Sequence, residues 1–345
     1  MVSDLLLEAE TVEKSEIPIW YFPLANGRYE VKPGMIPLGS DLGNGKLDEQ
    51  VFQIDSNFAH YRRLKLAARK ENLDKYYQTH NYSSGVGNAV AGLIIDRLTK
   101  EYPQYFNTQF LGDGNVIFNS FLTGESFYLD KNLQLQAVEF NGKKVVPIYT
   151  STLDALATQI QEDITVICRD RNAKNWVSAI HLCFPNHWSA EEKIGKDFAT
   201  VHAPVACMEK INRQADKIVN TIIIRKPMVR FAWGLSTDTR LNHHPQAPHN
   251  ISVEKWNGRN FNRDYPRLYL RIERQTMWGL PEHNASLFTI RTYFRDCSLL
   301  KKDKLLRYKL SYAIKSMTSD SLIYKGLNNS KEDILNFLNN DVMSI

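Results

Sequence analysis

The side chains best suited to chemistry lie on two predicted strands in the second half of the 345-residue chain. Because side chains alternate along a strand, Arg230 and Ala232 share one face of the first. Arg271, Glu273 and Gln275 share one face of the second. A carboxylate on such a face can bind a cation, and a guanidinium can stabilise developing negative charge. Spacing alone would make Arg230 and Glu273 no more than a cross-strand ion pair.

Nine histidines are the candidate metal ligands. Three cluster in one Pro-rich segment: His243, His244 and His249. No fourth ligand at structured spacing accompanies them, so we expect a solvated loop and not a zinc site. His187 and His202 lie in a predicted helical segment between two strands, and His181 lies within a strand. From spacing alone, a hydrogen-bonded structural role is expected for each of these three.

The four cysteines lie far apart, and no C-x-x-C pair is present. This spacing argues against a zinc ribbon, a thioredoxin-like motif and a Cys-ligated iron–sulfur cluster. Residues 85–92 are glycine-rich but lack the third glycine of G-x-G-x-x-G, so we interpret them as a helix start. A redox role would therefore need electrons from a separate protein.

Composition and charge exclude several classes of protein. Hydrophobic residues make up 43% and charged residues 23%, which is ordinary globular usage. A formal charge of +5, with short and interrupted basic clusters, is too small to indicate nucleic-acid binding. No apolar run approaches the roughly 18–20 residues of a membrane helix, and the N-terminal apolar run is too short for a signal peptide. We expect a cytoplasmic protein without membrane or nucleic-acid partners.

The order of predicted elements from about residue 160 is two strands, helices, then three strands. The strands are predicted at 164–168, 177–184, 228–235, 268–277 and 286–295. This α+β order is typical of a Per-Arnt-Sim (PAS)-like core, a five-stranded antiparallel sheet with helices between strands two and three, although other α+β folds share it. We predict this core over 159–298, a mixed and helical N-terminal region over 1–158 that packs on it, and a helical C-terminal tail over 299–345.

Several longer strings are specific. They are CFPNHW at 183–188, KIG at 193–195, VHAPV at 201–205, RIERQT at 271–276 and LFTIRTY at 287–293. The chain resembles, over roughly residues 20–297, the family of the haem-dependent oxidative N-demethylase, the oxygenase subunit of a dimethylamine monooxygenase. The resemblance implies a PAS-like fold, a haem b held by one imidazole, dioxygen and a small secondary amine as substrates, and electrons from separate flavin and iron–sulfur reductase components.

The resemblance also assigns roles to residues. His202, inside the string VHAPV, would ligate the iron, with His181 and His187 as alternatives. The tryptophans Trp188 and Trp233 would pack on the haem or in the core.

On the sheet, Glu273 would orient the cationic amine, and Arg230 would stabilise negative charge on dioxygen as it is reduced. One departure weakens these assignments: the family's third strand reads Arg-x-Asn-Trp, and Ala232 stands here in place of the asparagine. Loss of that amide favours an alternative, a non-catalytic haem-binding PAS-like sensor or binding protein. A family member without haem is a further alternative.

Overall fold

A computed structural model describes residues 2–8, 19–145, 148–257 and 260–340. The strands within these ranges are β1 (Ile36–Pro37), β2 (Tyr77–Thr79), β3 (Phe106–Phe110), β4 (Val116–Ser120), β5 (Glu125–Leu129), β6 (Leu135–Phe140), β7 (Lys143–Val145), β8 (Asp163–Arg169), β9 (Asn175–His181), β10 (Met228–Ser236), β11 (Tyr269–Leu280) and β12 (Ala285–Asp296). The α-helices there are α1 (Val2–Leu5), α2 (Phe58–Tyr76), α3 (Ser84–Glu101), α4 (Thr152–Ala157), α5 (Ala190–Lys193), α6 (Phe198–His202), α7 (Glu209–Asn212), α8 (Ala215–Ile224), α9 (Val253–Trp256), α10 (Cys297–Leu300), α11 (Lys304–Lys315), α12 (Ser319–Tyr324) and α13 (Lys331–Asn339).

The main sheet has seven strands in the order β1-β10-β11-β12-β8-β9-β2, and every neighbouring pair is antiparallel. The five strands predicted from the sequence are adjacent in it, with α5–α8 between β9 and β10. The predicted number of strands was too low, because β1 and β2 from the N-terminal half extend the sheet at both edges. The helices predicted between strands two and three are four in number, α5–α8.

The N-terminal half contains more strand than its helical pattern indicated. Helices α2 and α3 are present, and α3 begins at the glycine-rich segment, with the Ser83 hydroxyl accepting the Val86 N–H. Strands β3–β7 form a second, five-stranded antiparallel sheet in simple chain order. Tight turns with glycine at positive φ connect several of its strands, as at Gly114, Gly124 and Gly142.

The main sheet separates two environments. One face packs Leu270, Ile272 and Tyr293 against the C-terminal helices α11 and α13. On the other face, Ile180 of β9 packs with Ala190 of α5, and α8 crosses β11. None of the described helices has the length and apolar character needed to cross a bilayer.

Candidate functional site

One face of the main sheet carries the predicted polar residues, and we call it the site face. In the β10–β11 register, Ala232 lies directly opposite Glu273, and Arg230 lies opposite Gln275. Arg271 is two residues before Glu273 on the same strand, so it shares this face. The alternation predicted from the sequence is therefore confirmed for both strands.

Glu273 is held by its two neighbours on β11. Its Oε2 accepts a hydrogen bond from Gln275 Nε2 at 3.1 Å, and its Oε1 lies 3.6 Å from Arg271 Nε. Arg271 is fully buried and donates to the carbonyl oxygens of Leu241 and Phe184 at 3.0 and 2.8 Å. These bonds fix the guanidinium, whose charge lies at ion-pair distance from the Glu273 carboxylate.

Arg230 is available to an anion. Its Nε is buried and has no hydrogen-bond partner. Burial lowers the pKa of Arg230, and the charge of Glu273 partly offsets this effect. Among the described residues, however, the two groups form no ion pair within 4 Å, so the simple cross-strand pair expected from spacing is not formed. A half-buried guanidinium whose Nε is buried without a partner gains free energy from an anionic or strongly accepting ligand.

His202 ends helix α6 close to Arg230. Its Nδ1 lies 2.7 Å from the carbonyl oxygen of Phe198, and its ring packs on the Phe198 ring with centroids 4.2 Å apart. Burial, with the nearby positive charges of Arg230 and Lys193, lowers the pKa of His202 to about 4. The imidazole is therefore neutral at pH 7, with its proton on Nδ1. No described residue bonds Nε2, so its lone pair is free to ligate a metal.

The other two candidate ligands, His181 and His187, make different contacts. His181 lies on the face opposite the site face, fully buried, with Nε2 3.2 Å from Asp154 Oδ1 and Nδ1 3.8 Å from Cys183 Sγ. His187 has a positive φ of 62° and stacks on the His243 ring, with centroids 5.2 Å apart. His202 combines a backbone-held Nδ1 with the nearby charge of Arg230.

The two tryptophans lie on opposite sides of the sheet. Trp188 packs beside Ile180, whose side chain lies on the site face. Trp233 points the other way, where its ring meets Tyr29 edge-on with centroids 6.0 Å apart. The structure thus brings Trp188, but not Trp233, to the side of the sheet that carries Glu273.

The expectation of a solvated histidine loop is wrong for two of its three histidines. His243 and His244 are 2% and 3% exposed, because this segment folds inward between α5 and the sheet. His243 Nε2 lies 2.9 Å from Asp238 Oδ1, and His244 Nε2 lies 3.3 Å from Glu191 Oε2. Each imidazole thus pairs with one carboxylate, and the described residues contain no group of three ligands that could hold a metal ion.

The burial of His243 predicts a pH-dependent stability. Burial lowers the pKa of His243 from 6.5 to about 4, so the unfolded chain binds more protons between these pH values. The stability that the buried, neutral His243 imidazole contributes is complete above pH 6.5 and is lost as pH falls toward 4. In urea titrations, the unfolding free energy of the wild type relative to His243→Gln should rise by up to ~3 kcal/mol across this interval. A difference that stays constant with pH would contradict the assignment.

A comparison with known protein families finds a match over most of the chain. A family model described as haem-dependent oxidative N-demethylase, alpha subunit-like, matches residues 43–335. The chain belongs to this family. The description of the haem-dependent oxidative N-demethylase alpha subunit-like family names a cofactor, and it likens its members to the alpha subunit of that enzyme.

The donor chemistry of His202 fits a haem ligand. A haem iron is ligated by a neutral imidazole whose second nitrogen is held by a backbone carbonyl or carboxylate, and His202 meets both conditions. The orphaned Nε of Arg230 adds a donor on the same side. The roles of Arg271 and Gln275 as supports for Glu273 were not predicted, although their alternation with it was the available signal.

Proposed function

We propose that the chain is the oxygenase subunit of a haem-dependent N-demethylase that acts on a small secondary amine. The observation that carries the proposal is the neutral His202 imidazole, held at Nδ1 by the Phe198 carbonyl and near enough to Arg230 for the guanidinium charge to lower its pKa. When bound, haem b would supply the reductive activation of dioxygen. The net reaction would consume dioxygen, two electrons and two protons, and would release formaldehyde, water and the demethylated amine.

The chain's own residues would bind and orient the reactants. A dialkylamine is a cation at neutral pH, and the Glu273 carboxylate, held by Gln275 and Arg271, supplies the counter-charge. Arg230 would donate to dioxygen as it gains negative charge, which lowers the free energy of the charged state. Trp188 would shield the His202 side of the site from water.

Electrons would come from separate flavin and iron–sulfur proteins. Residues 85–92 begin α3 in the manner of an ordinary capped helix, and the four cysteines are free and unclustered. Free thiols also favour a reducing compartment such as the cytoplasm. The PAS-like character of the core stays part of this proposal, supported by the adjacency of β8–β12, and the boundaries at 158 and 298 stay predictions.

Haem reconstitution tests the ligand assignment. Wild-type protein mixed with haemin should show a Soret band, and His202→Ala should lower haem affinity more than ~10-fold, the loss seen when even an outer-shell partner of a metal ligand is removed. The matched control is His283→Ala, an exposed turn residue, which should bind haem like the wild type. Equal haem binding by His202→Ala and wild type would refute the role of His202, and no haem binding by the wild type would refute the proposal.

Titration with dimethylamine tests the substrate assignment. The amine should perturb the haem spectrum of the wild type, and Glu273→Gln should weaken this binding ~10–100-fold because a charge-assisted bond is lost. Glu282→Gln, in the exposed turn before β12, should leave it unchanged. The sensor alternative is favoured by Ala232, which contributes no polar group opposite Glu273. A wild-type spectrum that never responds to the amine would support that alternative.

A further inference from the structure

The positive charge of the chain is concentrated in one short segment. Residues 297–326, which contain α10–α12, include seven basic and two acidic residues. Their net charge of +5 equals that of the entire protein, so the remaining 315 residues are neutral in sum. The modest overall charge therefore conceals one strongly basic segment.

Helix α11 at the centre of this segment is apolar on two opposite sides. One side packs Leu310, Ala313 and Ile314 against the main sheet. Leu305, Tyr308 and Tyr312 lie on the opposite side, at the i, i+3 and i+7 spacing of one helical stripe. They are 60%, 63% and 47% exposed, and we call them the aromatic stripe. The two tyrosine rings are stacked nearly parallel, with centroids 5.9 Å apart.

Basic side chains border the aromatic stripe. Lys304 and Lys315 are exposed at the two ends of α11, and exposed Lys302 immediately precedes the helix. Helix α11 contains no acidic residue, and Asp303 is used as its N-cap, accepting the N–H groups of Leu305 and Leu306. An exposed aromatic centre with a charged rim is the composition of a protein–protein interface, in which tyrosine is enriched at the core.

We propose that the aromatic stripe docks an acidic face of a second protein, of the kind that small electron-transfer proteins carry. The family is described as alpha subunit-like, and an enzyme with an alpha subunit contains at least one further polypeptide. A second copy of this chain is disfavoured as the occupant, because two-fold pairing through α11 would bring two basic surfaces together. The choice of an electron-transfer protein as the occupant rests on the proposed function, which the haem and amine titrations test separately.

Binding of a defined acidic protein tests the proposal. The probe is purified plant-type ferredoxin, and its affinity for the full-length chain is measured by biolayer interferometry at low and high salt. We expect binding that weakens with added salt. The double variant Tyr308→Ser/Tyr312→Ser should lose at least ~10-fold in affinity because it removes the aromatic centre. Lys304→Glu/Lys315→Glu should lose at least as much and bind with little salt dependence.

Controls of the same chemistry lie outside the surface. Tyr265→Ser removes a tyrosine that is 80% exposed, and Lys131→Glu reverses an exposed charge in the turn between β5 and β6. Neither should change the affinity by more than ~2-fold, since isolated surface charges and contacts contribute little. Circular dichroism checks that every variant is folded.

Four results would overturn the proposal. The first is no ferredoxin binding at low salt. The second is an equal loss of ferredoxin affinity in the control variants and the stripe variants. The third is a wild-type dimer in sedimentation velocity that the stripe variants convert to monomer. The fourth is stripe-dependent binding to phosphatidylserine vesicles with no stripe-dependent binding of ferredoxin.

Discussion

Replacement of Gly279 by alanine should lower the free energy of unfolding by ~3 kcal/mol or more. A Cβ at this position of β11 would lie 2.0 Å from the Ile223 carbonyl oxygen and 2.9 Å from that of Ile222. Both atoms belong to the backbone of α8, so a side-chain rotation cannot relieve the overlap. The helix must move away from the sheet, and chemical denaturation should report the loss.

The same replacement should also weaken haem binding, because α8 closes the helical segment that positions His202. Gly92→Ala is the matched control: its Cβ would meet Leu133 at an ordinary 3.5 Å, inside helix α3. Alanine is favoured over glycine within a helix by ~1 kcal/mol, so this variant should be as stable as the wild type or more so. A Gly279→Ala protein of wild-type stability would show that α8 does not rest on β11.

Removal of the charge of Asp154 should lower the free energy of unfolding by ~3–5 kcal/mol, which is the typical cost of removing one partner of a buried ion pair. Its carboxylate is fully buried and accepts hydrogen bonds from Arg69 Nε at 2.6 Å, Arg69 Nη2 at 2.7 Å and the Thr150 N–H at 2.8 Å. The same carboxylate also forms a hydrogen bond with the His181 imidazole. These donors hold the pKa of Asp154 well below its usual range, against the opposing effect of burial.

Asp154→Asn therefore leaves the Arg69 side chain, which is only 6% exposed, without its counter-charge. Asp96→Asn is the control, since Asp96 pairs with Lys100 at 2.7 Å on the exposed side of α3. That pair should contribute no more than ~0.5 kcal/mol. Thermal and urea unfolding of both variants measure the difference. A similar loss of unfolding free energy in the two variants would contradict the importance of the buried Asp154–Arg69 pair.

The strands of the second half could be predicted because local pattern determines them. Runs such as residues 164–168 are β-branched and end in polar turns, where the Asp170 carboxylate accepts the N–H groups of Asn172 and Lys174. The second sheet was missed because β3–β7 are short and rich in polar residues. Its best signal was the turn dipeptides at Asp113–Gly114 and Asn141–Gly142, which are typical of hairpins.

The contents of the candidate site could be predicted, but their pairing could not. Alternation placed Arg230 and Glu273 on the correct faces. The register that puts Ala232, and not Arg230, opposite Glu273 is invisible in the sequence, because 32 residues separate β10 from β11 and no short turn fixes their alignment. The burial of His243 was missed for a similar reason, since its carboxylate partner Asp238 and its cover from α5 both depend on tertiary packing.

The edge strands of the main sheet have a consequence for biosynthesis. Strands β1 and β2 flank β10 and β9, and both are translated before any strand of the central five. An unpaired outer strand offers free amide and carbonyl groups to any neighbouring chain, which is a common route to aggregation. Because β1 and β2 leave the ribosome first, they can pair with β10 and β9 as soon as those strands emerge. Chains that begin at residue 159 would lack this protection, and we expect them to accumulate as insoluble aggregates.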